Sequence, residues 1–353
     1  MSTRVLIYDH GSRSISSAIA QAWKSALDAR GIAAAFRNPS VYGPGNYEKA
    51  LATVCHGMAG HNPELIADQL ANDGIPIVVE MGYVKRGETV KDHWAVGVGG
   101  INAKAHYRNR LAPGDRWEAL GVTLAEWRKE GEHVLVCGQV PGDVNLGGID
   151  AHRWARETMD ELRKLTDRKI VFRPHPLDPS NVETKVGASF DTISYAPLEE
   201  DLAGAWCVVG YTSNSMVDAI IAGVPAISLG ESMASPVAGG SLAAVENPPM
   251  PDRQQWAHEL AYAQWTVAEI FAGLPWEHLI EGKTKTVAYP ATEGEPAPVL
   301  APDPVEPPSA PATDPEAGVQ VVEKASQKSQ EAPEAKIPPT PKAKAAGRLK
   351  VSK

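Results

Sequence analysis

Arg173-Pro174-His175-Pro176 sets a guanidinium and an imidazole two residues apart, with a proline on each side of the histidine. The prolines fix the backbone, and a rigid loop presenting those two heads suits a phosphate or diphosphate. Thr212-Ser213-Asn214-Ser215, with Asp218 after it, puts hydroxyl and amide groups at an expected helix start, where free backbone N–H groups also favour an anion. Plain N-capping accounts for Ser and Asn there equally well. Gly138-Gln139-Val140-Pro141-Gly142-Asp143 is a Gly/Pro turn that carries Gln139 and Asp143, the latter suited also to capping that turn. A fourth stretch, Asp9-His10-Gly11-Ser12-Arg13-Ser14, follows the first expected strand.

None of these is a dinucleotide fingerprint or a Walker loop, because the further glycines and the Gly-Lys-Ser/Thr are missing. His56 and His61 have no third ligand nearby in sequence, so no metal site is expected.

The elements that position these stretches alternate between strand and helix. Strands are expected at 4–8, 32–36, 51–55, 75–80 and 93–98, with a helix over 14–29 and another opened by Asn62-Pro63. The pattern restarts with strands at 133–137, 169–172, 191–194, 206–211 and 225–229 and helices at 149–165, 198–203 and 213–222. One long helix over 252–272 closes the series. Such alternation implies parallel pairing with helices on both faces. Two runs of similar length, broken near 128–132, imply an α/β fold of two domains facing across a cleft. In open α/β sheets ligands bind beyond the carboxyl ends of the strands, where all four stretches fall.

The 353 residues carry a net charge of −9, and the ten acids and ten bases from Glu281 onward cancel. The acidic surplus therefore belongs to the body, which makes it a poor general binder of nucleic acid. From Gly282 the chain holds 13 of the 29 prolines and no Trp, Cys or Phe, the composition of a disordered tail. Its last bases, from Lys336 to Lys353, have no acid among them and suit either a solubilising tip or a tether to a polyanion. Cys55, Cys137 and Cys207 have no metal or redox spacing and read as buried hydrophobes in a reducing compartment. No leader pattern and no apolar run near 18 residues appears, so a cytoplasmic protein without a membrane span is expected. The expected divisions are 1–130, 131–251, a closing helix over 252–281 that packs back on the first domain, and the tail over 282–353.

At Arg173 to Pro176, Thr212 to Ser215, Asp218 and Gly223-Val224-Pro225, the chain resembles GT-B glycosyltransferases with two Rossmann-like domains. Within them it is most similar to bacterial capsule-polysaccharide transferases of the Kdo and sialic acid kind, with a phage-encoded relative as a variant. The likeness covers roughly 130–230 well and the first domain weakly. It implies that His175, with Arg173, binds the donor phosphate and that Thr212, Ser213, Asn214 and Ser215 hold it, with Gln139 on the adjoining loop. Asp218 would meet the ribose hydroxyls, where the family usually has Glu. It further implies that Trp256 and Trp265 anchor a hinge.

The implied reaction moves a sugar from a nucleotide-activated donor, held by the second domain, to an acceptor hydroxyl held mainly by the first. No cofactor beyond the nucleotide-sugar substrate and no metal are expected. Base candidates are Asp143 and Asp9, then His10 and Glu80. The acceptor is a glycan or small molecule; alternatives are a modified DNA base, a nucleotide-sugar epimerase and a non-catalytic nucleotide- or sugar-binding protein.

Overall fold

The computed structural model describes residues 4–282 apart from 12, 13, 44, 88, 179 and 188. The tail beyond Gly282, and Ser12 and Arg13 of the first turn, lie outside the described residues. In chain order the elements are β1 (Val5–Tyr8), α1 (Ile15–Asp28), β2 (Ala34–Arg37), β3 (Ala52–His56), α2 (Asn62–Ala71), β4 (Ile75–Met81) and β5 (His93–Val98). There follow α3 (Asp115–Leu120), β6 (His133–Cys137), α4 (Ala151–Leu165), β7 (Lys169–Arg173), α5 (Val182–Val186) and β8 (Thr192–Ile193). The series ends with α6 (Leu198–Ala203), β9 (Ala205–Gly210), α7 (Ser215–Ile221), β10 (Ala226–Ser228), α8 (Gln254–Ala261), β11 (Gln264–Thr266), α9 (Val267–Phe271) and α10 (Leu274–Leu279).

Two sheets organise them, one in the order β11-β5-β4-β3-β1-β2 and one in the order β10-β9-β6-β7-β8. The fold is α/β with two Rossmann-like sheets. Central strands read as continuous apolar runs because both their faces are covered. Val5, Leu6 and Ile7 of β1 are fully buried, as are Val134, Leu135 and Val136 of β6. α1 buries Ile19, Trp23, Ala26 and Leu27, an i, i+4, i+7, i+8 stripe. Asp150 caps α4 by accepting from the amides of His152 and Arg153.

Two expectations are corrected. The second sheet is parallel throughout, but the first is mixed: β4–β5 and β5–β11 are antiparallel. No helix lies between β4 and β5, so the chain turns straight back, and a parallel pairing would have needed a longer crossover. The closing helix is also broken. After α8 the chain extends into β11, and Gly273, at φ +77°, separates α9 from α10. Trp256 and Trp265 therefore sit on different elements: Trp256 donates its indole N–H to Met233 O, whereas Trp265 packs with Trp23 and Trp276.

The cause of the break is Gln264. Fully buried, its Oε1 accepts from the amides of Tyr83 at 2.8 Å and Val84 at 2.9 Å, and its Nε2 donates to Val84 O at 2.9 Å. The two sheets also share apolar interior, since Tyr83, Ala95, Tyr107 and Trp256 cluster with Leu135, Val208, Val217 and Ile220.

His278 sits buried in this region between Tyr262 and Trp265, with its Nε2–H donating to Tyr107 O. Burial brings its pKa down to about 4; Arg108 and Arg116 deepen the depression, and the Tyr107 carbonyl opposes it. The unfolded ring takes a proton near 6.5 and the folded ring only near 4, so this stabilisation is complete above 6.5 and lost as pH falls between the two. At about 1.4 kcal/mol per pKa unit the loss is on the order of 3 kcal/mol. Melting temperatures at pH 7 and pH 4 should therefore differ less in His278→Gln than in the native chain. An equal difference in both would show that His278 is not the group responsible.

Candidate functional site

Between the strand ends of the two sheets lies a cavity of 290 Å³. The first sheet's loops contribute Glu80, Tyr83, Ile101 and Asn102. From the second come Gln139, Asp143, Val144, Asn145, His175, Thr212, Ser213 and Asn214. A larger hollow of 870 Å³ beside α1 and α9 is mostly apolar, with Ala18, Ala22, Val267 and Phe271, and lacks a comparable convergence of acid, imidazole and hydroxyl groups.

His175 follows β7, and its Nδ1 accepts from the Leu177 amide at 3.1 Å. With Nδ1 occupied as an acceptor, the neutral ring carries its proton on Nε2. Burial lowers the His175 pKa, against the opposing pull of Asp143 and Asp178 and with some help from Arg173. At neutral pH this ring is therefore a neutral N–H donor.

Asp143 follows β6 and caps a short turn, its Oδ1 accepting from the amide of Asn145 at 2.8 Å and from Asn145 Nδ2 at 3.1 Å. It is a cap and a cavity-lining carboxylate at once. Gln139 and Thr212 satisfy each other: the Thr212 amide donates to Gln139 Oε1 at 2.8 Å, and Gln139 Nε2 donates to Thr212 Oγ1 at 2.9 Å. They tie the β6 and β9 loops together and form the wall. Ser213 Oγ lies 2.8 Å from Ser215 Oγ, and Ser215 opens α7. Asn214 makes no side-chain cap; its Nδ2 donates across to Tyr83 O at 3.1 Å.

Of the sequence candidates, Arg173, Asp218, Ser215, Asp9 and His10 lie outside the cavity lining, and Glu80 lies within it. Arg173 Nη1 donates to Asp201 Oδ2 at 2.7 Å and to Ala196 O, which pins the loop before α6. Asp218 receives both Nη groups of Arg86, at 2.8 Å and 2.6 Å. Asp9 accepts from Ser17 Oγ at 2.6 Å, and His10 Nδ1 is 3.2 Å from Ser40 Oγ, both beyond β1. Glu80, at the end of β4, lines the cavity.

Sequence reasoning missed Arg86, Asn102 and the tyrosine pair. Asn102, at φ +54°, donates from Nδ2 to Thr212 O at 3.3 Å and accepts at Oδ1 from the Met233 amide at 3.1 Å. Its carbonyl accepts from Tyr107 Oη at 3.0 Å, and that hydroxyl also meets Tyr83 Oη. Burial raises both phenol pKa values, so these hydroxyls stay protonated. The only local signal was Asn after Gly99-Gly100, a residue that tolerates left-handed backbone.

Among the described residues no group of three or more His, Cys, Asp or Glu could hold a metal ion, and no helix is long and apolar enough to cross a membrane.

No family model matches the chain, and no curated protein does. Among solved structures it is similar to a β-Kdo 2,7 transferase, KpsC of Thermosulfurimonas dismutans, at 14% identity over 78% of this chain and 99% of that one, with a TM-score of 0.48. The β-Kdo 2,4 transferase of the same organism's KpsC gives 13% identity over 78% and 98%, at a TM-score of 0.48. The glycosyltransferase SnogD from Streptomyces nogalater gives 11% over 79% and 99%, at 0.28.

Proposed function

We propose that this protein is a glycosyltransferase that moves a sugar from a nucleotide-activated donor to an acceptor hydroxyl, with the reacting centre in the 290 Å³ cavity. The observation that supports it most is the meeting, at the strand ends of both sheets, of a neutral imidazole N–H, the Ser213 hydroxyl and the carboxylates of Asp143 and Glu80. Donors aimed at a departing phosphate and a carboxylate near the attacking hydroxyl are the two requirements of the reaction. Among the described lining residues there is no Lys or Arg, and in this reading the phosphate is met by His175 and Ser213 as neutral donors. Such donors gain strength in a site shielded from water. The cavity lies near the lower edge of ligand-sized sites, roughly 300–1,000 Å³, and suits the sugar and its phosphate rather than a whole nucleotide-sugar.

The acceptor in this reading is a glycan or small molecule. Two carboxylates at the cavity and a net charge of −9 weigh against a polyanion such as DNA.

The test is a thermal-shift panel of CMP, UDP, GDP and their sugars, followed by an assay for released nucleotide. A ligand at 100 times its Kd should add about 2.7 kcal/mol of stability, a readily measured shift. One nucleotide should stabilise selectively, and its sugar should release nucleotide when acceptor is supplied. Stabilisation without release would mark a binding protein, and an altered sugar without acceptor an epimerase. No response to any member of the panel would end the nucleotide-sugar reading.

A further inference from the structure

The histidine that lines the cavity is reached through a second one. His152, in the first turn of α4, holds Nε2 2.7 Å from Asp178 Oδ2 and 3.1 Å from Ser180 Oγ. Ser180 also serves Asp178: its hydroxyl at 2.5 Å and its amide at 3.0 Å both donate to Oδ1. The Asp178 side chain is 2% exposed and that of His152 12%. A carboxylate so enclosed is costly unless hydrogen bonds satisfy it. Burial would raise the Asp178 pKa, yet Ser180 and His152 hold it below the usual carboxylate value.

The backbone of this loop leads to His175. The Asp178 amide donates to His175 O at 2.9 Å, and the Leu177 amide donates to His175 Nδ1 at 3.1 Å. Asp178 thus fastens the turn carrying the imidazole to α4, whose own first turn is set by the Asp150 cap.

A Ser-His-Asp set invites comparison with a nucleophilic triad, but its wiring differs. A proton relay needs Ser on one ring nitrogen and the carboxylate on the other. Here both partners meet the same atom, His152 Nε2, and the Ser180 hydroxyl donates to Asp178. The group holds geometry and moves no proton.

We propose that His152, Asp178 and Ser180 are positioning residues that fix the tautomer and aim of His175, and so the strength of its donor to a phosphate. The inference rests on the reading of His175 as the phosphate-facing donor. Prolines at 174 and 176 fix φ at those residues and leave the ring's rotation to the Leu177 amide and to the anchor at Asp178.

The experiment is nitrogen NMR of the imidazole rings, with the His175 signals identified by their absence in His175→Ala. The native chain should show a single His175 tautomer with the proton on Nε2. In His152→Ala and Asp178→Asn the two tautomers should mix, and calorimetric affinity for the best-binding probe among UDP, CMP and GDP should fall about tenfold, the equivalent of one hydrogen bond to a charged group. His152→Gln, whose amide reaches roughly where Nε2 stood, should restore both readings.

Unchanged His175 signals in His152→Ala and Asp178→Asn would overturn the proposal. Equal losses in His152→Gln and His152→Ala would do so too, because packing alone would then explain them. Should the native chain bind no nucleotide, the glycosyl-transfer reading fails while the nitrogen signals still decide the positioning role. Melting curves check folding, and Ser180→Ala, which removes only a hydroxyl, supplies the same NMR readout if a larger change prevents folding.

Discussion

Asp143→Asn should release nucleotide from its sugar donor about 10²–10⁴-fold more slowly than the native protein, with nucleotide affinity close to unchanged. Under the proposed reaction Asp143 and Glu80 are the base candidates to test first, because both line the cavity whereas Asp9 and His10 bond to Ser17 and Ser40 beyond β1. Of the two carboxylates, Asp143 shares its face with His175, whose imidazole feels its charge. Asparagine retains the carbonyl oxygen that accepts from the Asn145 amide, so the turn should survive. What is lost is the ability to take a proton. Glu80→Gln is the paired measurement. A large loss there with Asp143→Asn nearly native would transfer the base to the first sheet, and a small loss in both would remove general-base chemistry from this cavity.

Gln264→Ala should destabilise the body by about 3–5 kcal/mol, read as a shift in the denaturation midpoint. Truncation leaves the amides of Tyr83 and Val84 and the carbonyl of Val84 without the partner they now share. Each buried orphan costs roughly 1–3 kcal/mol, and the missing side chain adds a void. Gln264→Glu separates the causes, since it keeps the volume and an acceptor but loses the Nε2 donor and buries a charge. A midpoint within experimental error of native for Gln264→Ala would show that water replaces the side chain.

These residues also show where sequence reading reaches and where it stops. Strand β1 was legible because Val5-Leu6-Ile7 can only be paid for by burial on both faces. Helix α4 was legible because its apolar positions recur along one stripe behind an Asp cap. Both signals are local. β11 was not legible: Gln264-Trp265-Thr266 continues a helix-spaced pattern of aromatics, and its extended form is decided by amides some 180 positions earlier. Asn62 shows a smaller version of the same limit. It lies inside the first turn of α2, with His61 before it, and its side-chain Nδ2 donates back to the carbonyls of His56 and Gly57.

At the cavity, residue type was readable and pairing was not. Arg173 and Asp218 are charged groups near strand ends, as loop chemistry leads one to expect. Their partners Asp201 and Arg86 stand 28 and 132 residues away, and nothing in the intervening sequence marks either pair. Asn102 joins loops of both sheets through contacts spanning 110 and 131 positions, again without a local sign beyond its tolerance of positive φ.

The place of β11 in the first sheet bears on how the chain is made. β5 is finished at Val98, but the strand that covers its outer edge begins at Gln264. At ribosomal speeds of about 5–20 residues per second, that edge waits on the order of ten seconds for its neighbour. Trp265, Ile270 and Trp276, which pack with Trp23 of α1, arrive equally late. The first half of the protein therefore cannot mature as it emerges, and a nascent chain stalled before 264 would present an open strand edge and an uncovered tryptophan to its surroundings.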